Sequence, residues 1–222
     1  MPYRSLWGFI REPVNALTHL VGAVLSIIAL ILLIHRSIEA NSITMLTSFI
    51  IFGVCMILLY TASTLYHTVT SKDWIQRMRK LDHMMIYALI AGTYTPICLL
   101  VIGGPLGITV LAVMWTMALA GILTKLFLGH SAPGWLSIGM YIFMGWAGVS
   151  VIPVIFARLP LPAVLWLALG GVIYTVGAVI YGMRKPDPWP DIFGFHAIWH
   201  LFVLGGTITH FWAIYRYVGA IS

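Results

Sequence analysis

Residues Asn15 to Ile34 read NALTHLVGAVLSIIALILLI, 20 positions without an Asp, Glu, Lys or Arg. A helix needs about 20 predominantly apolar residues, rising 1.5 Å each, to cross a hydrocarbon core roughly 30 Å thick. This run is apolar on every side, so it asks for lipid or protein around its whole circumference and not for water on one face. No small-residue cleavage pattern follows it, so it reads as a retained span rather than a signal peptide, and the chain as one used whole.

Outward from this run, comparable stretches fall at Ile43 to His67, Asp82 to Ile102, Leu106 to Leu128, Leu136 to Phe156, Ala163 to Met183 and His196 to Tyr217. A β-barrel strand alternates apolar and polar over about ten residues, whereas these runs stay apolar right round for far longer. The expectation is an all-α membrane protein, a seven-transmembrane helical bundle forming a single domain over residues 1–222. Composition agrees: 61% of the 222 residues are hydrophobic and 8% are charged. Soluble domains carry about 25% charged residues, so a soluble globular fold is excluded. Cys55 and Cys98 lie inside apolar runs and read as small buried hydrophobes, with no disulfide framework. No inverted repeat or low-complexity segment is visible. The loop RKPDPWPDIFGF, Arg184 to Phe195, carries three prolines and aromatic residues suited to the headgroup zone, and reads as an interfacial anchor.

The 12 Lys and Arg residues outnumber 6 Asp and Glu, but they are scattered among loops and form no run that could track a phosphate backbone. Nucleic acid is therefore not an expected partner. Arg4, Arg11, Lys72, Arg77, Arg79, Lys80, Lys125, Arg184 and Lys185 fall on one side, against Arg36, Arg158 and Arg216 on the other. Positive residues favour the cytoplasm, which predicts a cytoplasmic N-terminus and, after seven spans, a C-terminus outside. The short loops leave the bundle itself to carry the function.

An ionisable side chain within a span costs on the order of 2 to 3 kcal/mol or more and so asks for a partner or a task. His67 closes the second run in STLYH, Asp82 opens the third in LDHMMIYALIAGTYTP, and His196 and His200 open the seventh in HAIWH. All three places lie at the side predicted to be cytoplasmic. His196 and His200 are four apart and project from one helical face, as a two-nitrogen metal clamp requires; Ser63 and His67 repeat that spacing. Two nitrogens from one helix and a third from another would leave one coordination position open, the pattern of a catalytic zinc. HAIWH carries no glutamate beside its first histidine, so a base must come from elsewhere, and Asp82 is the acid at the right depth. The alternatives stay open from spacing alone. HxxxH arises by chance, a membrane-end histidine can bond a carbonyl or sit among headgroups, and a serine such as Ser63 commonly bonds back to the carbonyl four residues earlier. Asp82 could likewise serve only as an acid at a helix N-terminus. His35, His83 and His130 read as solvated or interfacial. His210 lies about 15 Å along the helix from His200 and cannot share its coordination shell. In EPVNALTHLVG, Glu12, Asn15, Thr18 and His19 share roughly one face and read as structural support for a helix start, with Asn15 capping.

The ordered motifs EPVNALTHLVG, STLYH, LDHMMIYALIAGTYTP and HAIWHLFVLGGTITHF resemble the hemolysin III family, the bacterial branch of the progestin and adiponectin receptor superfamily. The resemblance covers nearly the whole chain, and the lack of a long N-terminal soluble segment is similar to the bacterial branch. It implies a multi-pass protein of the bacterial cell membrane in which His67, His196 and His200 bind Zn²⁺, with Asp82 and Ser63 near the zinc and its water. The superfamily is also similar to alkaline ceramidases, which suggests a membrane lipid as substrate or ligand. The expected function is a zinc-dependent hydrolase of a lipid amide or ester. The alternatives are a non-enzymatic sensor or homeostasis protein with a structural zinc, and a cytolytic protein of the hemolysin type. A retinal-type pump is excluded because the seventh run has no lysine for a Schiff base.

Overall fold

The structure, a computed structural model, describes residues 10–128, 134–190 and 192–221; Arg4, His130 and Asp191 fall outside these residues. Among the described residues, seven helical segments are long and apolar enough to cross a membrane, and the only β pairing is an isolated bridge between Trp189 and Phe193. The first span is α1 (Pro13–Glu39), the second α2 (Ile43–Thr68), and the third α3 (Lys72–Pro96) continued by a π-helical turn over Ile97–Ile102. The fourth is α4 (Gly104–Leu128). The fifth is built from α5 (Gly134–Trp146), a 3₁₀ turn over Ala147–Val151 and α6 (Ile152–Arg158). The sixth and seventh are α7 (Leu161–Met183) and α8 (Phe195–Arg216).

Local chemistry explains the boundaries. Pro13 opens α1, where its missing N–H is no loss. Ser42 caps α2, its side chain accepting from Met45 N at 3.2 Å. The turn from the third span to the fourth needs positive φ at Gly103 (62°) and Gly104 (57°), which glycine adopts without a Cβ penalty. Pro96 removes an N–H inside the third span, and the chain continues as a wider π turn. The fifth span breaks just before Pro153, and Tyr94 repairs the exposed backbone. Its hydroxyl accepts from Gly148 N at 2.7 Å and donates to Met144 O at 2.9 Å. Inside a bilayer no water could do this, so a side chain must.

Two boundaries differ from the hydropathy reading. α3 begins at Lys72, ten residues before Asp82, because KDWIQRMRKL is helical but too charged to register as an apolar run. Asp82 is thus about 15 Å from the helix N-terminus and cannot be a helix-start acid, since that dipole effect dies away within the first turn. α1 similarly extends to Glu39, past Ile34.

α1 packs on α2, α2 on α3 and α7 on α8, and α1 meets α8 to bring the first and seventh spans together. Small residues allow these approaches: a Cβ on Gly22 of α1 would stand 2.6 Å from the Tyr60 ring of α2. Outside, Leu17, Val24, Ile28, Ile31, Leu165 and Val172 are exposed, a surface for lipid and not for water. Inside, among the apolar core, sit His19, Ser63, His67, Asp82 and His200, all buried.

Candidate metal centre

Two helices bring three histidines together. His67 is in the last turn of α2, while His196 and His200 occupy the first two turns of α8. The start of α8 is set locally: Phe195 N donates to Asp187 Oδ1 at 2.9 Å, and Gly194 makes room because a Cβ there would collide with that oxygen. Asp187 belongs to the proline-rich loop read from sequence as an interfacial anchor, so the loop also positions the two histidines. Trp189 in the same loop is exposed, as an anchor would be.

The three imidazoles form a nearly equilateral tripod. Ring centroids are 4.9 Å apart for His67 and His196, 4.9 Å for His67 and His200, and 4.8 Å for His196 and His200, with interplanar angles of 75°, 74° and 72°. One nitrogen from each ring lies within 4.8 Å of the others, close enough for a single metal ion.

The helix-start cluster at α1 decides which nitrogen two of the rings, His67 and His200, offer. Glu12 precedes the helix but makes no capping bond; its carboxylate instead accepts from His67 Nδ1 and from Asn15 Nδ2, the latter at 2.9 Å. A carboxylate can only accept, so the His67 proton sits on Nδ1 and Nε2 keeps a lone pair. That Nε2 is buried and has no hydrogen-bond partner among the described residues. At His200, Nδ1 lies 3.2 Å from the Asn15 carbonyl and 3.0 Å from Thr18 Oγ1, whose own proton goes to the Asn15 carbonyl. Nδ1 is again the donor, and Nε2 the free lone pair. Metal-binding histidines are held this way by carboxylates and carbonyls, so the orphaned nitrogen and the neutral donor set fit a metal ion. Arg11 closes the arrangement from outside, paired with Glu12 and donating to the Tyr66 carbonyl at 2.6 Å. Burial alone would raise the Glu12 carboxyl, but its bonds to His67 and Asn15 and the Arg11 charge hold it down to about 2.

Asn15 therefore does not cap α1, and the α1 cluster supports the histidines rather than the helix start. Sequence periodicity placed the four residues on one face; nothing in it pointed to partners 55 and 182 residues away. Ser63 is fully buried, and among the described residues its hydroxyl makes no hydrogen bond of sound geometry, unlike Ser26 and Thr64, which bond back to the carbonyls four residues earlier. The Asp82 carboxyl lies beside it, short of a geometrically sound bond. Both line the same small chamber as His19, His196 and His200. His83, expected to be solvated or interfacial, is half-buried and lines that chamber, and His35 is exposed. His210 bonds the Gly206 carbonyl at 2.9 Å and lines a separate apolar cavity. That cavity, about 280 Å³, shares Leu59, Ile86, Tyr141, Ala178, Trp199 and Val203 with the chamber, so the two adjoin across these side chains.

Comparison with known proteins gives a consistent picture. The family described as Haemolysin-III related matches residues 7–211. The chain is 40% identical over 211 residues to Hemolysin-3 of Bacillus cereus, covering 95% of this chain and 93% of that protein. It is 41% identical over 207 residues to the Hemolysin-3 homolog of Bacillus subtilis (strain 168), covering 93% and 94%. Monocyte to macrophage differentiation factor of Homo sapiens is 30% identical over 175 residues, covering 76% of this chain and 69% of that protein.

Proposed function

Since the chain belongs to the hemolysin III family, within the progestin and adiponectin receptor superfamily, we propose that it is a zinc-dependent hydrolase of a membrane lipid amide or ester. The observation that carries this reading is a histidine tripod of which His196 and His200 line a chamber with an unbonded serine and a buried aspartate, next to an apolar cavity. Three neutral imidazoles with room for a further ligand suit zinc in a catalytic setting. When bound, zinc supplies a Lewis acid that polarises a carbonyl and makes water acidic enough to attack at neutral pH.

The chain's residues would divide the rest of the work. His67, His196 and His200 hold the ion, and Glu12, Asn15 and Thr18 keep the first and last of these rings aimed. Asp82 takes the proton from the attacking water and passes it to the leaving group. Ser63 donates its unused proton to the carbonyl oxygen as charge develops there. The 280 Å³ cavity accepts an acyl chain, leaving the amide or ester at the chamber. The excess of basic residues around these helix ends supports a chamber that faces the cytoplasmic side of the cell membrane.

The test is purified protein in nanodiscs, assayed for zinc by elemental analysis and for turnover of long-chain amides and esters. One zinc per chain and turnover abolished by His200→Ala is the expected result. A fully zinc-loaded but inert protein would defeat the hydrolase assignment. It would favour a second reading, a zinc-stapled sensor, which is motivated by the way ligands and supports come from α1, α2 and α8 together. Cytolysis, the activity that the relatives' name denotes, is disfavoured by an exterior of exposed Leu, Ile and Val that would not stay dissolved before insertion.

A further inference from the structure

His19 lines the chamber but stands outside the three-histidine group whose nitrogens can share an ion. Its ring is 3% exposed. It stacks on His200 at 3.5 Å between centroids with planes 9° apart, and meets the Tyr60 ring edge-on at 5.0 Å. Tyr60 can reach this position because Gly22, one turn beyond His19, leaves space for its ring. The neighbouring polar groups of α1 all have partners: Glu12 holds His67, Asn15 bonds Glu12, and Thr18 meets His200. Among the described residues, neither nitrogen of His19 has a hydrogen-bond partner of sound geometry, the nearby His200 backbone falling short of one.

Stacking and packing make no use of those nitrogens, and a phenyl ring would serve them as well. A neutral imidazole carries one N–H donor and one lone-pair acceptor, and burying both unmet is unfavourable. The Ser63 hydroxyl, which lines the same chamber, has no partner of sound geometry among the described residues either. The His19 nitrogens therefore lack a polar partner of sound geometry among the described residues. We propose that His19 is a substrate-contacting residue, its lone-pair nitrogen taking a hydrogen bond from the N–H of the polar group that enters the chamber. It thereby favours a group with both a donor and an acceptor over a group with acceptors alone. This rests on the lipid-hydrolase reading and adds to it a specificity residue that is not a metal ligand. An amide offers an N–H and a carbonyl, whereas an ester offers only acceptors.

The test compares wild type, His19→Phe and His19→Gln, each zinc-loaded in phosphatidylcholine nanodiscs. The probes are N-ethylhexadecanamide and ethyl hexadecanoate, matched in chain length. Wild type should bind the amide about tenfold more tightly than the ester, the worth of roughly one buried hydrogen bond. His19→Phe should retain zinc and lose that preference, its amide-to-ester ratio falling to about 1, because the stack is kept and the nitrogens are gone. His19→Gln, which keeps a donor and an acceptor, should recover part of the ratio. An unchanged ratio in His19→Phe, or a folded His19→Phe that has lost its zinc, would overturn the inference. Equal binding of both probes by wild type would overturn it alone, even if His19→Phe failed to fold. Wild type that binds neither probe would bring down the lipid-hydrolase reading and this inference with it.

Discussion

Glu12 offers the sharpest test of how the metal centre is built. Its carboxylate is the acceptor for His67 Nδ1 and also holds Asn15 and Arg11. Glu12→Ala removes the group that fixes the His67 tautomer, a class of change that typically lowers metal affinity by about 10- to 100-fold, or roughly 1.4 to 2.7 kcal/mol. Glu12→Gln leaves a neutral carbonyl to accept the same proton. The loss is then the difference between a charge-assisted and a neutral hydrogen bond, about 1 kcal/mol or roughly fivefold in affinity. Thr18→Val should resemble the milder change, because His200 Nδ1 keeps the Asn15 carbonyl at 3.2 Å. His67→Ala should empty the site. The ranking is thus His67→Ala, then Glu12→Ala, then Glu12→Gln with Thr18→Val. It can be read by competitive zinc titration against a chelator in detergent, with circular dichroism to check folding. A folded Glu12→Ala protein that binds zinc within about twofold of wild type would refute the claim that α1 orients the ligands.

Three further outcomes are expected. Asp82→Asn should keep most of the zinc and lose most turnover, whereas His200→Ala should lose both; elemental analysis beside a lipid-turnover assay separates them, and wild-type turnover in Asp82→Asn would remove Asp82 from the mechanism. The folded chain holds the Glu12 carboxyl at about 2, down from 4.5, so its ionised form supports folding above pH 4.5 and that support fades as pH falls toward 2. Acid unfolding of the metal-free protein should accordingly be less steep between those pH values in Glu12→Gln, and an unchanged acid limb would count against the assignment. Reporter fusions should place Ser222 outside and the N-terminus in the cytoplasm, in line with the nine-to-three distribution of basic residues; a cytoplasmic signal at Ser222 would reverse the topology.

The seven spans were legible from composition because crossing a bilayer is a local condition. Each helix satisfies its own backbone and needs only length and apolar surface, so a run such as Asn15 to Ile34 declares itself without reference to its neighbours. The pairing of His196 and His200 was legible for the same reason, as it follows from one helix's periodicity. The charged start of α3 was not, because a hydropathy window sees the solvent a segment prefers and not whether its backbone is helical. Nor was the break in the fifth span, which depends on Tyr94 arriving from the third. The resemblance to a family named His67 as a partner of the seventh span, but only tertiary packing brings it there. The assignment of Glu12 to His67 and of Thr18 to His200 likewise depends on how α1 is rotated and raised against α2 and α8. The unmet hydroxyl of Ser63 and unmet nitrogens of His19 are absences that only a complete set of neighbours can reveal. Helix register and rotation arise from summed side-chain contacts between distant segments, such as Tyr60 against Gly22, and no short-range pattern in the chain encodes them.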